Sequence, residues 1–392
     1  MYVTRHLSHL RKFPESISTL PEGPNSGYLV IQDQESETYS CFGLCKNHLL
    51  DDLPFPQNKK LTVLFQTNQG EHSHTSFDDV VLIPVLDKPL SSNQYYAIQP
   101  HGKHIGEAFT SSTEDDKRTC CFCRCIKDIK PRPLDPHNGQ QQFHISPHET
   151  MCTPKGYFYA KSVAPEAFPP YFLRRKGWSI KGKTPKKYQI VDAPGIYSTL
   201  LQVLPDFDFP ISSKVSKPIV VGKWYCPFMF IRDGTLREQV KESLFYEMTL
   251  ERKWEQIFAC RNKNNEGNSV FVNVDVAKEV VYLGGNKVVC DVHNVSDGVM
   301  WFRNSGNKGG QPSVGLRMEI VDRMKWEQEK NGFISSEANQ VRVSKKEFGE
   351  GMGWNEFGCY VLVESFVLKK MDGSTILTYD FMHTHQIKSK WE

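Results

Sequence analysis

Short apolar runs, separated by polar residues and by Pro, Asn, Asp and Gly, fill the first half of the chain. The runs are rich in β-branched and aromatic residues, and no helical period of any length runs between residues 28 and 175. Such runs are typical of β-strands with turns between them. Strands are predicted at residues 28–32, 61–65, 80–85, 95–99, 142–145 and 157–160. The first half is therefore predicted to be an all-β domain.

The same order of features occurs twice in this half. An anchor that begins with Tyr28 or Tyr95 is followed by a Cys-Phe motif (CFGLC, then CFCRC), a Pro-x-Pro turn and two further apolar runs. A third anchor is predicted at Tyr171, after a Pro-Pro pair. Repeated units bury their apolar faces against each other. We therefore predict units from about residues 28, 95 and 171, arranged like a β-prism as three sheets around a pseudo-threefold axis, or otherwise as a sandwich.

The second half mixes helical and strand patterns. Thr235 and Glu238 form a capping box that predicts a helix running to about Phe258. A second helix is predicted before Gly332, because RMKWEQ at 323–328 echoes ERKWEQ at 251–256 inside that first predicted helix. A short helix is predicted at 196–204, strands at 218–231, 270–283 and 341–343, and a closing hairpin at 358–370 and 374–387 with an Asp-Gly turn. The fold class is thus α+β and mostly β: a repeated β domain over 1–185, then an α+β domain over 186–392 whose antiparallel sheet carries two main helices.

Composition narrows the class of protein without identifying it. The chain has 392 residues, 39% of them hydrophobic, and a net charge of +3, which describes an ordinary soluble globular protein. This small charge does not favour nucleic acid as a partner. No run of 18 apolar residues predicts a transmembrane segment, and the basic N-terminus lacks the apolar core of a secretory signal. A cytoplasmic protein with reduced cysteines is expected.

Several blocks of the chain resemble a known family. MYVTRHLS, GPNSGYLVIQD, KWYCPFMFIRDG, MKWEQE and the closing SKWE are similar to a plant-specific family known only as a domain of unknown function, number 1262. The run GYFYAKSVAPEAFPP at 156–170 resembles repeats of plant β-prism proteins related to vacuolar sorting. The resemblance implies a plant protein, and the plant restriction implies a stress or defence role. It implies no catalytic residue and no cofactor.

The second Cys-Phe motif is a candidate metal or redox site. On a strand, Cys121, Cys123 and Cys125 share one face, and His148 or Cys152 could complete a zinc site with them. The same cysteines can equally be redox-sensitive thiols or small buried residues. Since the first unit has cysteines in the matching places, the interpretation as core residues is favoured, and no metal or other cofactor is expected.

A basic run with an embedded Trp178 is the strongest surface signal. Its members are Arg174, Arg175, Lys176, Lys181, Lys183, Lys186 and Lys187. The run can bind phosphate groups of an anionic lipid surface, direct nuclear import, or form a solvated linker. The expected function is that of a non-catalytic binding module for a protein, a glycan or an anionic lipid.

The alternative function is an enzyme with its site at the domain interface. His383, His385 and Cys226 are the candidate residues for it, although the apolar neighbours of Cys226 would raise the pKa of its thiol. The pairs Asp51/Asp52 and Asp78/Asp79 are expected not to converge, because adjacent residues on a strand point to opposite faces. No familiar catalytic motif is present in the sequence.

Overall fold

A computed structural model describes residues 1–40, 45–69, 72–120, 123–148, 155–185, 190–200, 202–262, 267–288, 295–303, 313–334, 339–349 and 353–392. The chain forms two compact units. Unit 1 comprises Met1–Ala193, Pro227–Met229 and Gly234–Phe245, and unit 2 comprises Pro194–Cys226, Phe230–Asp233 and Tyr246–Glu392. None of the helices in these ranges is long and apolar enough to cross a membrane.

Unit 1 is built mainly from strands. They are β1 Tyr2–His6, β2 Gly27–Ile31, β3 Tyr39–Ser40, β4 Cys45–Lys46, β5 Lys60–Gln69, β6 His72–Pro84, β7 Gln94–Ile98, β8 Lys117–Cys120, β9 Cys123–Ile126, β10 Gln142–Pro147, β11 Phe158–Ser162 and β12 Ser179–Lys183. Its α-helices in the described ranges are α1 Leu7–Lys12, α2 Tyr171–Arg174 and α3 Leu236–Glu242. The strands predicted in this half are confirmed, with boundaries that differ by a few residues or extend the run.

Six of these strands share one antiparallel sheet, in the order β11-β10-β7-β6-β5-β12. The long β6 joins its two parts, because Val80 and the residues before it pair with β5 while Val81–Pro84 pair with β7. The outer strands meet at one point, where the Phe158 N–H donates to the Trp178 carbonyl over 2.7 Å. The sheet therefore closes on itself at this point.

The inner face of the closed sheet is filled by aromatic side chains. Phe55, Phe158 and Trp178 are at most 1% exposed, and their rings lie 5.0 to 6.5 Å apart. The Trp178 Nε1–H donates to the Leu173 carbonyl over 2.9 Å, so its polar atom is satisfied. Each such side chain contributes about 2–3 kcal/mol of burial free energy, which makes this cluster the main stabilising feature of unit 1.

The repeat is present in part. In both copies, a short hairpin flanks the Cys-Phe motif: β3 pairs with β4 and β8 with β9. The arrangement as three separate sheets is wrong, however, since strands from both copies share the six-stranded sheet. The third anchor is also wrong, because residues 171–174 form the helix α2 and not a strand. Pro170 is the N-cap residue of this helix, where the missing N–H of proline costs no helical hydrogen bond.

Unit 2 is mostly β. Its strands are β13 Gly195–Ile196, β14 Ile219–Pro227, β15 Ile231–Asp233, β16 Phe245–Arg261, β17 Ser269–Ala277, β18 Glu279–Leu283, β19 Asn286–Val288, β20 Val295–Ser296, β21 Val299–Arg303, β22 Ser313–Arg317, β23 Gln340–Phe348, β24 Glu356–Lys369 and β25 Thr375–Trp391, and its helix is α4 Met318–Lys330. The main sheet has the order β19-β18-β25-β24-β16-β14. The predicted closing hairpin is confirmed as β24 and β25, with thirteen paired positions.

The helix predicted from the capping box ends much earlier than expected. The box itself is present, with the Glu238 N–H donating to Thr235 Oγ1 and the Thr235 N–H donating to the Glu238 carboxylate. The helix α3 stops at Glu242, and the echo sequence that follows lies in the strand β16, where Leu250, Arg252 and Trp254 are buried and the residues between them are half-buried. Its second copy is helical in α4, as predicted. Residues 196–204 hold a short 3-10 turn at Ser198–Leu200 instead of the predicted helix.

Candidate functional site

The proposed metal ligands are only partly within the described ranges. Cys121 and Cys152 lie outside them, as does the side chain of Cys123. Cys125 is exposed on β9, and the His148 ring lies edge-on to Tyr159, with ring centroids 6.1 Å apart. Within those ranges, no three His, Cys, Asp or Glu side chains are grouped so that they could hold a metal ion. The zinc and redox hypotheses stay predictions.

The basic run divides into two kinds of side chain. The Arg175 guanidinium lies 4.2 Å from the Phe65 ring centroid, donates to Ser76 Oγ over 3.0 Å and stands 3.5 Å from an Asp78 oxygen. Arg174 donates to the Ile126 carbonyl over 3.3 Å and stands 3.5 Å from an Asp128 oxygen. Both arginines thus fasten α2 to neighbouring strands. Lys176, Lys181 and Lys183 are exposed, whereas Lys186 and Lys187 lie outside the described ranges.

His383 belongs to a buried polar network in unit 2. Its Nε2 lies 3.0 Å from Gln328 Oε1, and the Gln328 amide donates to the Glu364 carboxylate over 2.8 Å. Arg252 Nε donates to Glu364 Oε1 over 2.6 Å. The Asn331 amide donates to Glu364 Oε2, the oxygen that also accepts from Gln328, over 3.2 Å. These contacts fasten the C-terminal end of α4 to the sheet. The network is enclosed by protein, so its geometry is that of a structural anchor.

The negative charge of Glu364 in this network is balanced by the neighbouring Arg252 guanidinium. Burial alone would raise the pKa of Glu364, but the nearby His383 ring and the Arg252 guanidinium outweigh it and hold that pKa at about 2. His385 is exposed two residues further along β25, and partial burial and His383 lower the pKa of its ring. Cys226 is fully buried in β14, and burial raises the pKa of its thiol to about 12, so the thiolate that a nucleophile needs does not form near neutral pH.

A cavity of about 260 Å³ in unit 1 combines polar and apolar groups, and we call it the acidic cavity. It is lined by Ile17, Asp51, Asp52, Leu53, Pro54, Leu90, Ser91, Asn93, Pro147, Lys155, Gly156 and Tyr157. The volume lies just below the roughly 300–1,000 Å³ of sites for drug-sized ligands, so it suits a smaller molecule.

Asp51 and Asp52 both line the acidic cavity, although adjacent acids on a strand would point to opposite faces. That expectation assumed a strand, but these residues lie in the irregular segment before β5, where alternation does not apply. The pair Asp78/Asp79 does follow the rule: on β6, Asp78 faces Arg175 while Asp79 pairs with Lys60 at 2.7 Å. The conformation of the backbone therefore decides whether adjacent acids converge.

A glycine makes room for one of these carboxylates. Gly156 has φ of +89°, and a Cβ at this position would lie only 2.7 Å from Asp51 Oδ1. This separation is shorter than any ordinary van der Waals contact, so only glycine allows Asp51 to occupy its place. Gly156 thus leaves free the space that the Asp51 carboxylate occupies.

The polar side chains of the acidic cavity retain their hydrogen-bonding capacity. Among the residues that the structure describes, no protein group forms a side-chain hydrogen bond or ion pair with Asp51, Asp52, Ser91 or Asn93. Partial burial and the charge of Asp52 raise the pKa of Asp51, while Arg11 and Lys155 act in the opposite direction. The cavity therefore offers unpaired acceptors from two carboxylates, an amide from Asn93 and a cation from Lys155.

The sequence alone did not single out this cavity. Its residues come from five separate segments of the chain, and none of these segments by itself forms a recognisable motif. The available signal was the loop character of residues 51–56, which are rich in Asp and Pro and carry no alternating pattern.

Comparisons with known proteins find a family model that matches one segment of the chain. Residues 22–122 match the model of a family described as "Protein of unknown function (DUF1262)". No curated protein matches the chain. The crystal structure of Cry35Ab1 is similar over 86% of this chain and 90% of that chain, with 12% sequence identity and a TM-score of 0.44, and the major pilin subunit of Bacillus cereus reaches a TM-score of 0.09 at 9% identity over 70% and 63%. These likenesses carry no functional argument. The chain is thus similar, over one segment, to a domain of unknown function, while its plant origin and cytoplasmic location stay predictions.

Proposed function

We propose that unit 1 is a non-catalytic binding module whose acidic cavity holds one sugar residue of a glycan. The observation that carries this proposal is the set of unpaired carboxylates in a concave site that also has apolar walls. A ligand that left these carboxylates without partners would forfeit their hydrogen bonds to water, at about 1–3 kcal/mol each. The ligand must therefore bring several hydrogen-bond donors.

Sugar hydroxyl groups meet this requirement best. Each hydroxyl both donates and accepts, so it can donate to Asp51 or Asp52 and accept from Asn93 or Lys155 in the same site. Two carboxylates against one lysine leave the cavity acidic, which disfavours phosphate or carboxylate ligands. A purely cationic ligand would have no use for the donors of Asn93 and Lys155. The Tyr157 ring and the side chains of Leu53 and Leu90 offer apolar surface for the C–H face of a sugar ring.

A panel of neutral monosaccharides and short oligosaccharides, titrated calorimetrically into the full chain, tests the proposal. The double variant Asp51→Asn/Asp52→Asn is expected to bind the preferred sugar at least about tenfold more weakly, since each charge-assisted hydrogen bond contributes about 1.5–3 kcal/mol. The matched control Glu15→Gln/Glu35→Gln removes two exposed carboxylates elsewhere in unit 1 and is expected to bind normally.

Two results would contradict this function. Equal affinity of the Asp51/Asp52 variant and the wild type would show that the sugar does not bind in the acidic cavity. Mass spectrometry of a bound oligosaccharide after long incubation is expected to recover it intact, and the appearance of shorter products would make the protein an enzyme instead.

A further inference from the structure

A second concave site in unit 1 gathers positive charge and lies beside the start of the basic run, since Asp128 in its wall faces Arg174. This open groove has a volume of about 450 Å³, and its walls include Lys127, Lys130 and Arg132 from the segment that follows β9. All three side chains are exposed, and none has a hydrogen-bond or ion-pair partner in the part of the chain that the structure describes. We call it the basic groove.

The acidic residues of the basic groove are mostly engaged by other groups. Asp116 accepts from the Thr113 N–H over 2.8 Å and from its hydroxyl over 3.3 Å, as part of a capping box. Asp128 accepts from the Tyr171 N–H over 2.7 Å and faces the Arg174 guanidinium. Asp115 is exposed and has no such contact within the described ranges. Of these acids only Asp128 faces a cation of its own, so Lys127, Lys130 and Arg132 share the groove with two carboxylates, Asp115 and Asp116, that form no ion pair with any described residue.

The backbone of the segment that carries these cations is fixed at both ends. Arg132 exchanges two backbone hydrogen bonds with Ala108, of 2.7 and 3.0 Å. Pro131 and Pro133 on either side restrict the backbone of this segment further. The Lys127 carbonyl accepts from the Ser112 hydroxyl over 2.7 Å, which fixes the other end. A backbone that is already in place loses no further entropy when a ligand binds, so only the exposed side chains have to be ordered.

We propose that the basic groove binds a small ligand that carries two or more phosphate groups. Several cations without acidic partners repel each other until an anion separates them, and a single carboxylate would neutralise only one of them. Arg132 can bind a phosphate through two parallel N–H groups, while Lys127 and Lys130 act as point charges. The groove volume falls within the range of about 300–1,000 Å³ that small-ligand sites occupy. An inositol polyphosphate provides this chemistry, either free or as the headgroup of a lipid.

Calorimetric titration of soluble inositol trisphosphate into the full chain tests the proposal. The variant Lys127→Gln/Lys130→Gln/Arg132→Gln is expected to lose at least about tenfold in affinity. The matched control Lys176→Gln/Lys181→Gln/Lys183→Gln removes the same charge from the exposed part of the sequence-predicted run and is expected to keep the wild-type affinity. Circular dichroism establishes that both variants are folded. If the triple variant does not fold, Arg132→Lys, which keeps the charge but loses the paired N–H groups, is expected to weaken binding on its own.

Vesicles distinguish the two sources of the ligand. Cosedimentation with phosphatidylcholine vesicles that contain phosphatidylinositol bisphosphate, but not with pure phosphatidylcholine, would assign the groove to a lipid headgroup. Binding of the soluble compound without cosedimentation would assign it to a free phosphate ligand. The proposal is overturned if the wild type does not bind inositol trisphosphate, or if the two triple variants lose affinity equally, since binding would then follow net charge and not the groove.

Discussion

Gly156 shows how much a single residue decides in the acidic cavity. It has a positive φ, and a Cβ at this position would lie only 2.7 Å from Asp51 Oδ1. Gly373, in the turn between β24 and β25, has nearly the same φ of +87° but no atom within 4 Å of a Cβ built on it. A substitution at Gly373 therefore introduces backbone strain alone, whereas a substitution at Gly156 introduces the same strain together with a steric clash.

This pair gives the first prediction. Gly156→Ala and Gly373→Ala are each expected to lower the free energy of unfolding by about 1–2 kcal/mol, the cost of a left-handed conformation for a residue with a Cβ. Only Gly156→Ala is expected to weaken sugar binding, because its Cβ displaces Asp51. Urea denaturation and calorimetry measure the two effects. Equal sugar affinity in both variants would show that Asp51 does not need its present position.

Glu364 gives a second prediction at the scale of one residue. Its pKa is about 2 in the folded protein, below the value of 4.5 for a free glutamate, so its ionised form stabilises the fold. This contribution, about 3 kcal/mol, is complete above pH 4.5 and is lost as the pH falls from there towards 2. Glu364→Gln is expected to be destabilised by about 3–5 kcal/mol at pH 7, because it leaves Arg252 buried without its counter-charge.

The control for this prediction is Glu329→Gln, an exposed position on the same helix α4. It is expected to change the free energy of unfolding by less than about 0.5 kcal/mol. Denaturation at a series of pH values should show a steeper acid loss for the wild type than for Glu364→Gln. Parallel curves would contradict the assignment of the low pKa to this carboxylate.

At the scale of elements, one short sequence takes two conformations. ERKWEQ is part of β16 and RMKWEQ is part of α4. In the strand, Arg252 and Trp254 face one side and Lys253 the other, whereas in the helix Arg323, Met324 and Glu327 share a buried face. Local propensity is a weak constraint that the surrounding fold overrides, so the two copies diverge.

The echo supplies a matched pair of tryptophans for a third prediction. Trp254 is 1% exposed and its ring lies 5.5 Å from Phe207, while Trp326 is half-buried beneath Arg323 and Lys330. Trp254→Ala is expected to lower the free energy of unfolding by about 3–5 kcal/mol. Trp326→Ala is expected to cost about 1 kcal/mol, since its half-buried ring loses mainly the cation–π contacts with the buried Arg323 and the exposed Lys330. Urea midpoints compare them, and similar costs would mean that strand and helix bury this motif alike.

The elements differ in how far the sequence could specify them. Strands such as β5 and β24 were predictable because they are rich in β-branched and aromatic residues, and β24 is a nearly continuous apolar run that is buried on both faces. The stop of α3 at Glu242 was not, because Leu244 and Met248 continue the helical spacing although β16, which includes Met248, begins at Phe245. The acidic cavity and the basic groove depend on loops from separate segments, whose convergence is a property of the fold and not of any local pattern.

At the scale of the molecule, unit 1 includes two short segments that are remote in the chain. A Cβ on Gly106 would lie 2.8 Å from Leu236 Cβ and 3.3 Å from the Phe228 ring. Arg237 donates to the Gly102 carbonyl over 3.2 Å. The segments at Pro227–Met229 and Gly234–Phe245 thus cover the turn after β7, and the chain up to Ala193 is an incomplete unit.

A fourth prediction follows for shortened chains. A chain that ends at Ala193 is expected to expose the apolar surface beside Gly106, to bind a hydrophobic dye and to melt at a lower temperature than one that ends at Phe245. Dye fluorescence and calorimetry measure both properties. An equally stable, dye-free chain ending at Ala193 would show that the two remote segments add nothing to unit 1.

The backbone contact between Phe158 and Trp178 affects which sequence changes related proteins can tolerate. An open sheet presents unpaired N–H and C=O groups along its borders, which can recruit strands from other chains. Where the outer strands of unit 1 meet, that border is occupied by the protein itself. Changes in the length or composition of the surrounding loops therefore need not create an unpaired sheet edge that recruits other chains. We expect related proteins to vary their ligand-contacting loops widely while they keep the same resistance to aggregation.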